Sequence, residues 1–173
     1  MTFTITPATP PDYPSIARLI QTVWQALDQK SWFAADNDDY TLHMLESGQG
    51  IAFKAVDQTS QALAGIFMLV FPGLSEENLG RDINLSETDL LKVAHMDSAA
   101  VLPQYRGHGL QNKLMQAAEA EARQRGYRYL MCTVHPDNHY SKNNVLKQGY
   151  HVIATKEKYG GYTRNILLKE IKK

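Results

Sequence analysis

The stretch from Lys92 to Val134 constrains the fold more than any other, because it joins three hydrophobic patterns through one glycine turn. Lys92 to Val101 reads as a strand, the fourth in chain order. Leu110, Leu114, Ala118 and Ala122 then recur on one face of a helix that runs from Leu110 to Arg125 and stops at Gly126. Tyr129 to Val134 is an almost unbroken apolar run between polar flanks, the pattern of a strand covered on both faces. Strand, turn, helix and buried strand in succession predict two parallel neighbours joined by a right-handed crossover.

The remaining segments fit around this unit. Phe3 and Ile5 alternate with threonines in a short first strand. Ile16, Leu19, Ile20, Val23, Trp24 and Leu27 make one apolar helical stripe, which Asp12 or Ser15 can cap. A shorter helix covers Tyr40 to Glu46 and stops at Gly48, and strands follow at Ile51 to Val56 and Leu63 to Phe71, with Gln58 to Gln61 as the turn. A helix from Ser141 to Lys147 ends at Gly149. Two tail strands, His151 to Lys158 and Tyr162 to Ile171, are joined at Gly160-Gly161. The expected class is α/β with a mixed sheet.

A chain of 173 residues with 43% hydrophobic content fits one domain, residues 1–173, and no linker, repeat or low-complexity tract argues for a split. Lysine plus arginine equal aspartate plus glutamate at 18 each, so the overall field attracts neither nucleic acid nor an anionic membrane. The first residues lack the basic and apolar segments of a signal peptide, and no run approaches the roughly 18 apolar residues of a membrane span. A cytoplasmic location is expected. Cys132 is the single cysteine, which rules out an intramolecular disulfide; it lies inside a buried strand and reads as core. His135 and His139 are four apart, but Pro136 disfavours a helix there and no third ligand is in view, so no metal is expected.

The turn itself carries chemistry. Arg106-Gly107-His108-Gly109-Leu110-Gln111-Asn112 opens a helix whose first amides have no internal acceptor and whose dipole is positive there, a setting that favours a diphosphate. Glycines at 107 and 109 let the backbone approach phosphate oxygens. No Gly-Lys-Ser/Thr follows and the third glycine of a dinucleotide fingerprint is absent, so neither nucleotide motif applies.

The segment resembles the acetyl-CoA signature of the GCN5-related N-acetyltransferase (GNAT) superfamily, Arg/Gln-x-x-Gly-x-Gly/Ala, preceded by a Val-x-Pro-x-Tyr-like stretch, here Val101-Leu102-Pro103-Gln104-Tyr105. Arg106 and Gly109 match in the preferred register, with Gln111 where the family usually has glycine or alanine. The register Gln104-x-x-Gly107-x-Gly109 matches every letter but displaces Val101 and Pro103. A second segment is similar to the family's Asn-x-x-Ala/Ser … Gly-Phe/Tyr: Asn138, then Ser141, then Gly149-Tyr150.

The resemblance implies a mixed, mostly antiparallel sheet with parallel, splayed fourth and fifth strands and about four flanking helices. It implies acetyl-CoA as co-substrate, with pantetheine along Ala99, Ala100 and Val101 and pyrophosphate on Arg106, Gly107, His108, Gly109, Leu110, Gln111 and Asn112. Asn138 and Ser141 would complete the cofactor contacts, Asn138 being equally suited to cap a helix. The implied activity is transfer of an acetyl group to a primary amine of a small molecule or peptide, by direct attack in a ternary complex. A non-catalytic acyl-CoA-binding or regulatory module on the same fold is the alternative, and a homodimer is compatible.

An ammonium cannot attack a thioester, so a base or water relay is needed, together with a donor for the oxyanion. His95 falls where the histone-modifying members carry glutamate, and a histidine's usual pKa of roughly 6.5 suits the task. Asp97, two residues on, projects from the same strand face as an orienting group. His95 equally suits a buried structural role. By similarity the backbone N–H of Ala99 serves the oxyanion. Val145 stands where many members place a tyrosine acid, leaving Tyr140 or Tyr150 as substitutes. Pro72 to Leu91 is long for this family and acidic, with Glu76, Glu77, Asp82, Glu87 and Asp89 against Arg81; it would favour a cationic acceptor if it reached the cleft. Trp32, Phe33 and Tyr40 line that cleft or close the core.

Overall fold

The computed structural model describes residues 1–33 and 37–172. Its backbone divides into two compact units. The first holds strand β1 (Phe3–Pro7), helices α1 (Tyr13–Gln25) and α2 (Asp38–Ser47), strands β2 (Gly50–Asp57) and β3 (Leu63–Val70), strand β4 (Val93–Val101) from Met96 onward, and helix α4 (Leu110–Gln124) through Glu121. β1 and β2 are antiparallel from Phe3 opposite Asp57 to Pro7 opposite Phe53, and β2 and β3 are antiparallel from Gly50 opposite Val70.

The stripe on α1 buries Ile16, Leu19, Ile20 and Val23, and that on α4 buries Leu110, Leu114, Ala118 and Ala122. Asp12 occupies the α1 cap position, yet its side chain makes no capping bond. Both its oxygens instead accept from Lys54 Nζ at 2.8 Å, and one accepts the Thr9 N–H at 2.9 Å. Lys54 and the Thr9 amide thus hold the carboxylate in place of the first α1 amides. α2 is capped by Asn37 Oδ1, which accepts from the Tyr40 N–H at 2.8 Å, and ends at left-handed Gly48.

The second unit begins β4 and adds β5 (Tyr129–Val134), β6 (His151–Lys158), β7 (Tyr162–Glu170) and helix α5 (His139–Lys147). β4 and β5 are parallel in the register Val93–Tyr129, Ala94–Leu130 and His95–Met131. β7 pairs antiparallel with both β5 and β6. The strand order is therefore β1-β2-β3-β4-β5-β7-β6, a mostly antiparallel seven-stranded sheet with one parallel pair. With short α3 (Glu87–Leu90) in the β3–β4 connection, five α-helices are present among the described residues.

That connection is structured by tertiary contacts. A 3-10 turn at Leu79–Ile83 puts Leu79 into a cluster with Val93, Tyr129, Met131, Ile166 and Leu168. Asn78, fully buried, donates to the Gly73 and Leu90 carbonyls and accepts the Gly80 N–H.

Candidate active site

In the first unit, β4 runs into the glycine turn through a second 3-10 turn, Pro103–Tyr105. The Leu102 N–H donates to Ala64 O of β3 at 2.9 Å, which fixes where the strand ends. Tyr105 is buried edge-on against Phe3, ring centres 5.9 Å apart, and His108 lies 5.3 Å from the same ring. These contacts anchor the turn on both flanks while Arg106, Gly107, His108 and Gly109 are exposed.

Gly107 and Gly109 adopt φ of +84° and +69°, and a Cβ on either would meet no atom within 4 Å. Their glycines are thus required by backbone conformation, and the space above them is open. Gly109 O accepts the Lys113 N–H at 3.1 Å, starting α4, and no acidic residue stands in the first turn. Asn112 is occupied laterally, accepting from Gln116 Nε2 at 3.2 Å. The arrangement of glycine turn, helix start and absent local carboxylate fits an anionic diphosphate.

Gly65 on β3 has no such room. A Cβ there would stand 3.1 Å from Ala100 O and 3.2 Å from Val101 Cγ2. The backbone of Ala99 to Val101 is held in place by this close approach, a positioning role that the sequence reading missed.

Of the residues expected to do chemistry, His95 sits in the second unit with 9% exposure. Its Nε2 accepts the Leu79 N–H at 3.0 Å. Burial, with the charge of Lys158 adding to it, pushes its pKa down to about 4. The lone pair a base would use is engaged by the β3–β4 connection. Asp97, by contrast, is exposed, and its Oδ2 accepts from Ser98 Oγ at 3.2 Å.

Asn138 is the N-cap of α5, its Oδ1 accepting the Ser141 N–H at 3.2 Å. Tyr140 in the first turn of that helix is 69% exposed, while Val145 and Tyr150 are buried. Cys132 is buried and its thiol is pushed up to about 12 by desolvation, as befits a core side chain. His135 Nδ1 accepts the Asp137 N–H at 3.1 Å and its ring lies 6.3 Å from that of Trp32. Among the described residues no group of three or more His, Cys, Asp or Glu is arranged to hold a metal.

The acidic connection is largely neutralised by its own surroundings. Asp82 accepts from Lys158 Nζ at 2.6 Å and from Lys156 Nζ at 3.1 Å; burial raises its pKa, but these two bonds together outweigh burial and hold it low. Arg81 stands 3.9 Å from Glu76, and Asp89 pairs with Lys92 at 3.7 Å. The sequence also gave no notice of Tyr159, Tyr162 and Arg164, which meet on one side of β7. The available signal was Arg164 set just before the apolar run Ile166–Leu168. No helix among the described residues is long and apolar enough to cross a membrane.

Comparison with known proteins is consistent across two approaches. The model of the Acetyltransferase (GNAT) family matches residues 13–150. Arabidopsis thaliana NAA60, crystallised in complex with acetyl-CoA, superposes with a TM-score of 0.77 at 13% identity, over 98% of this chain and 99% of that one. Salmonella typhimurium yncA, a putative acetyltransferase with its cofactor acetyl-CoA, gives 0.72 at 17% identity over 100% and 96%. A GCN5-related N-acetyltransferase from Kribbella flavida gives 0.71 at 20% over 98% of each chain. A search of curated protein sequences found no match.

Proposed function

The chain belongs to the acetyltransferase (GNAT) family, and from that premise we propose that it transfers an acetyl group from acetyl-CoA to a primary amine of a small molecule or peptide, by direct attack in a ternary complex. The observation that carries the reading is the exposed turn at 106–109, whose two glycines hold positive φ beneath open space at the start of α4. The backbone from Arg106 to Asn112 would hold the pyrophosphate, and the backbone of Ala99, Ala100 and Val101, braced against Gly65, would hold the pantetheine arm.

The roles of the side chains follow from their settings. Asp97, exposed on β4, is assigned to accept the amine proton through water, since a carboxylate in solvent can relay but not retain a proton at neutral pH. The Ala99 N–H is assigned to the negative charge that develops on the acyl oxygen. His95 is assigned a structural task, because its Nε2 accepts the Leu79 N–H. Tyr140 is open to solvent and is assigned as the acid for the departing thiolate. Asn138, through its side-chain NH2 group, and Ser141 remain the assigned cofactor contacts on α5.

The buried Val145, where many members have tyrosine, favours one rival: a domain that binds acyl-CoA without turning it over. Thermal shift with coenzyme A, followed by thiol release from acetyl-CoA over a panel of amines, tests both. A shift with thiol release supports the transferase; a shift without release on any amine leaves the binding module; no shift removes both.

A further inference from the structure

The glycine turn of the first unit has no hydrogen bond across its tip. Upstream it is held by the Leu102 N–H on Ala64 O at 2.9 Å and the Arg106 N–H on Pro103 O at 3.3 Å, and downstream by the Lys113 N–H on Gly109 O at 3.1 Å. Between those points the N–H groups of Gly107, His108 and Gly109 donate to no protein acceptor among the described residues. They are available to an anion, but their direction is not fixed by the main chain. Two glycines in so short a segment widen the range of conformations open to it. Unless something else holds it, such a turn must be ordered afresh at every binding event.

A ring from far upstream in the same unit supplies the hold. Phe3 on β1 lies edge-on to Tyr105, at 90° and 5.9 Å between ring centres, and tilted at 55° against His108, at 5.3 Å. Tyr105 precedes the turn and is buried, whereas His108 stands between the two glycines and is exposed. One phenyl ring therefore spans both sides of Gly107. Neither Arg106 nor His108 makes a side-chain hydrogen bond or ion pair among the described residues, so ring packing is the restraint that remains. Phe3 is itself fixed: it stands opposite Asp57 in the β1–β2 register, the Gln58 N–H donates to Thr2 O at 2.9 Å, and Gln58 Nε2 donates to Thr4 Oγ1 at 2.9 Å.

We infer that Phe3 is a positioning residue for the cofactor turn: docked on Tyr105 and His108, it holds the amides of residues 107–109 in the direction that a diphosphate needs. The inference rests on the cofactor reading above. Phe3 touches no reacting atom in this assignment and acts only through the turn. An aromatic contact suits the task, because it restrains two neighbouring residues while leaving every main-chain donor of the turn to the anion. Holding the turn in its bound shape lowers the ordering cost of binding and leaves the chemical step alone. The effect is therefore confined to donors that carry the diphosphate.

The test separates such donors from one without it. Coenzyme A is titrated by calorimetry into the wild type, Phe3→Ala, Phe3→Leu and His108→Ala, and each protein is assayed with acetyl-CoA and with S-acetylpantetheine, which lacks the diphosphate. Phe3→Ala is expected to weaken coenzyme A about tenfold and to raise the acetyl-CoA KM to match, with kcat unchanged. Its kcat/KM for acetylpantetheine should equal that of the wild type. Phe3→Leu, which refills the volume without the ring, should fall between. The double variant Phe3→Leu/His108→Ala should lose no more than the larger single loss, because both changes act through one contact. Wild-type affinity in Phe3→Ala overturns the proposal, as do equal losses on both donors or additive losses in the cycle. Should Phe3→Ala fail to fold, Phe3→Leu and the cycle decide alone. Failure of the cofactor reading has a different signature, since the wild type itself would then not bind coenzyme A, and the proposal would fall with it. A domain that binds without turnover is still decided by the calorimetry.

Discussion

The Leu79 backbone N–H donates to His95 Nε2 at 3.0 Å, so a histidine on β4 is tied to the turn that crosses above it. This single bond assigns the imidazole to architecture. It requires the neutral ring, because a protonated Nε2 cannot accept.

A pH dependence of stability follows. Burial, with Lys158 acting the same way, brings His95 down to about 4, while the unfolded residue titrates at its ordinary 6.5. As pH falls from 6.5 the unfolded chain takes up a proton that the folded chain refuses, so stability is full above 6.5 and is lost progressively towards 4. The loss is about 3 kcal/mol at most. Denaturant melts between pH 7 and 4.5 should show it, and His95→Gln should flatten the slope. A flat wild-type profile over that window contradicts the assignment.

Turnover should separate His95 from Asp97. His95→Ala is expected to cost about 1–3 kcal/mol of stability by orphaning the buried Leu79 amide, with coenzyme A affinity kept. Asp97→Asn is expected to lower kcat by about 10- to 100-fold with the melting temperature unchanged, since the side chain is exposed. Thiol-release kinetics and thermal melts on both proteins check the pattern; a reversal would return the base role to His95.

Gly109→Ala probes the turn. The new Cβ meets open space but must be carried at φ of +69°, a cost of about 1 kcal/mol or more. If the loop relaxes to avoid that strain, its amides lose aim. The expected result is a modest stability loss with acetyl-CoA KM raised about tenfold or more, measured beside amine KM, which should hold.

Asp82→Asn should loosen the β3–β4 connection. The carboxylate bridges Lys156 and Lys158 from a mostly buried site, and the substitution is expected to cost about 1 kcal/mol. Limited proteolysis should then cut within residues 72–91 faster than in the wild type. Unchanged cleavage would mean that the Leu79 cluster alone holds the segment.

Much of the scaffold was legible because its signals are local. The run Tyr129–Val134 coincides with β5, the α1 and α4 stripes are the buried faces, and Gly48 and Gly126 mark helix ends with positive φ. The glycine turn at 107 and 109, with its positive φ, was legible for the same reason, being a contiguous segment. What stayed hidden depends on partners far apart in the chain. Asp12 looked like a helix cap until Lys54 took it; the Leu79–Ile83 turn forms because Asn78, His95 and an apolar cluster hold it. Arg164 draws its meaning from Ser31, more than a hundred residues upstream, a relation no periodicity encodes.

The torsions at Gly107 and Gly109 bear on how freely this segment can drift. If the turn holds a diphosphate as proposed, its main-chain donors are aimed by dihedral angles, and the exposed side chains at 104 and 106 are spectators to its shape. Lineages could therefore rewrite those letters, and the one at 111, while conserving the grip. Recognising distant kin by spelling would fail long before the grip did.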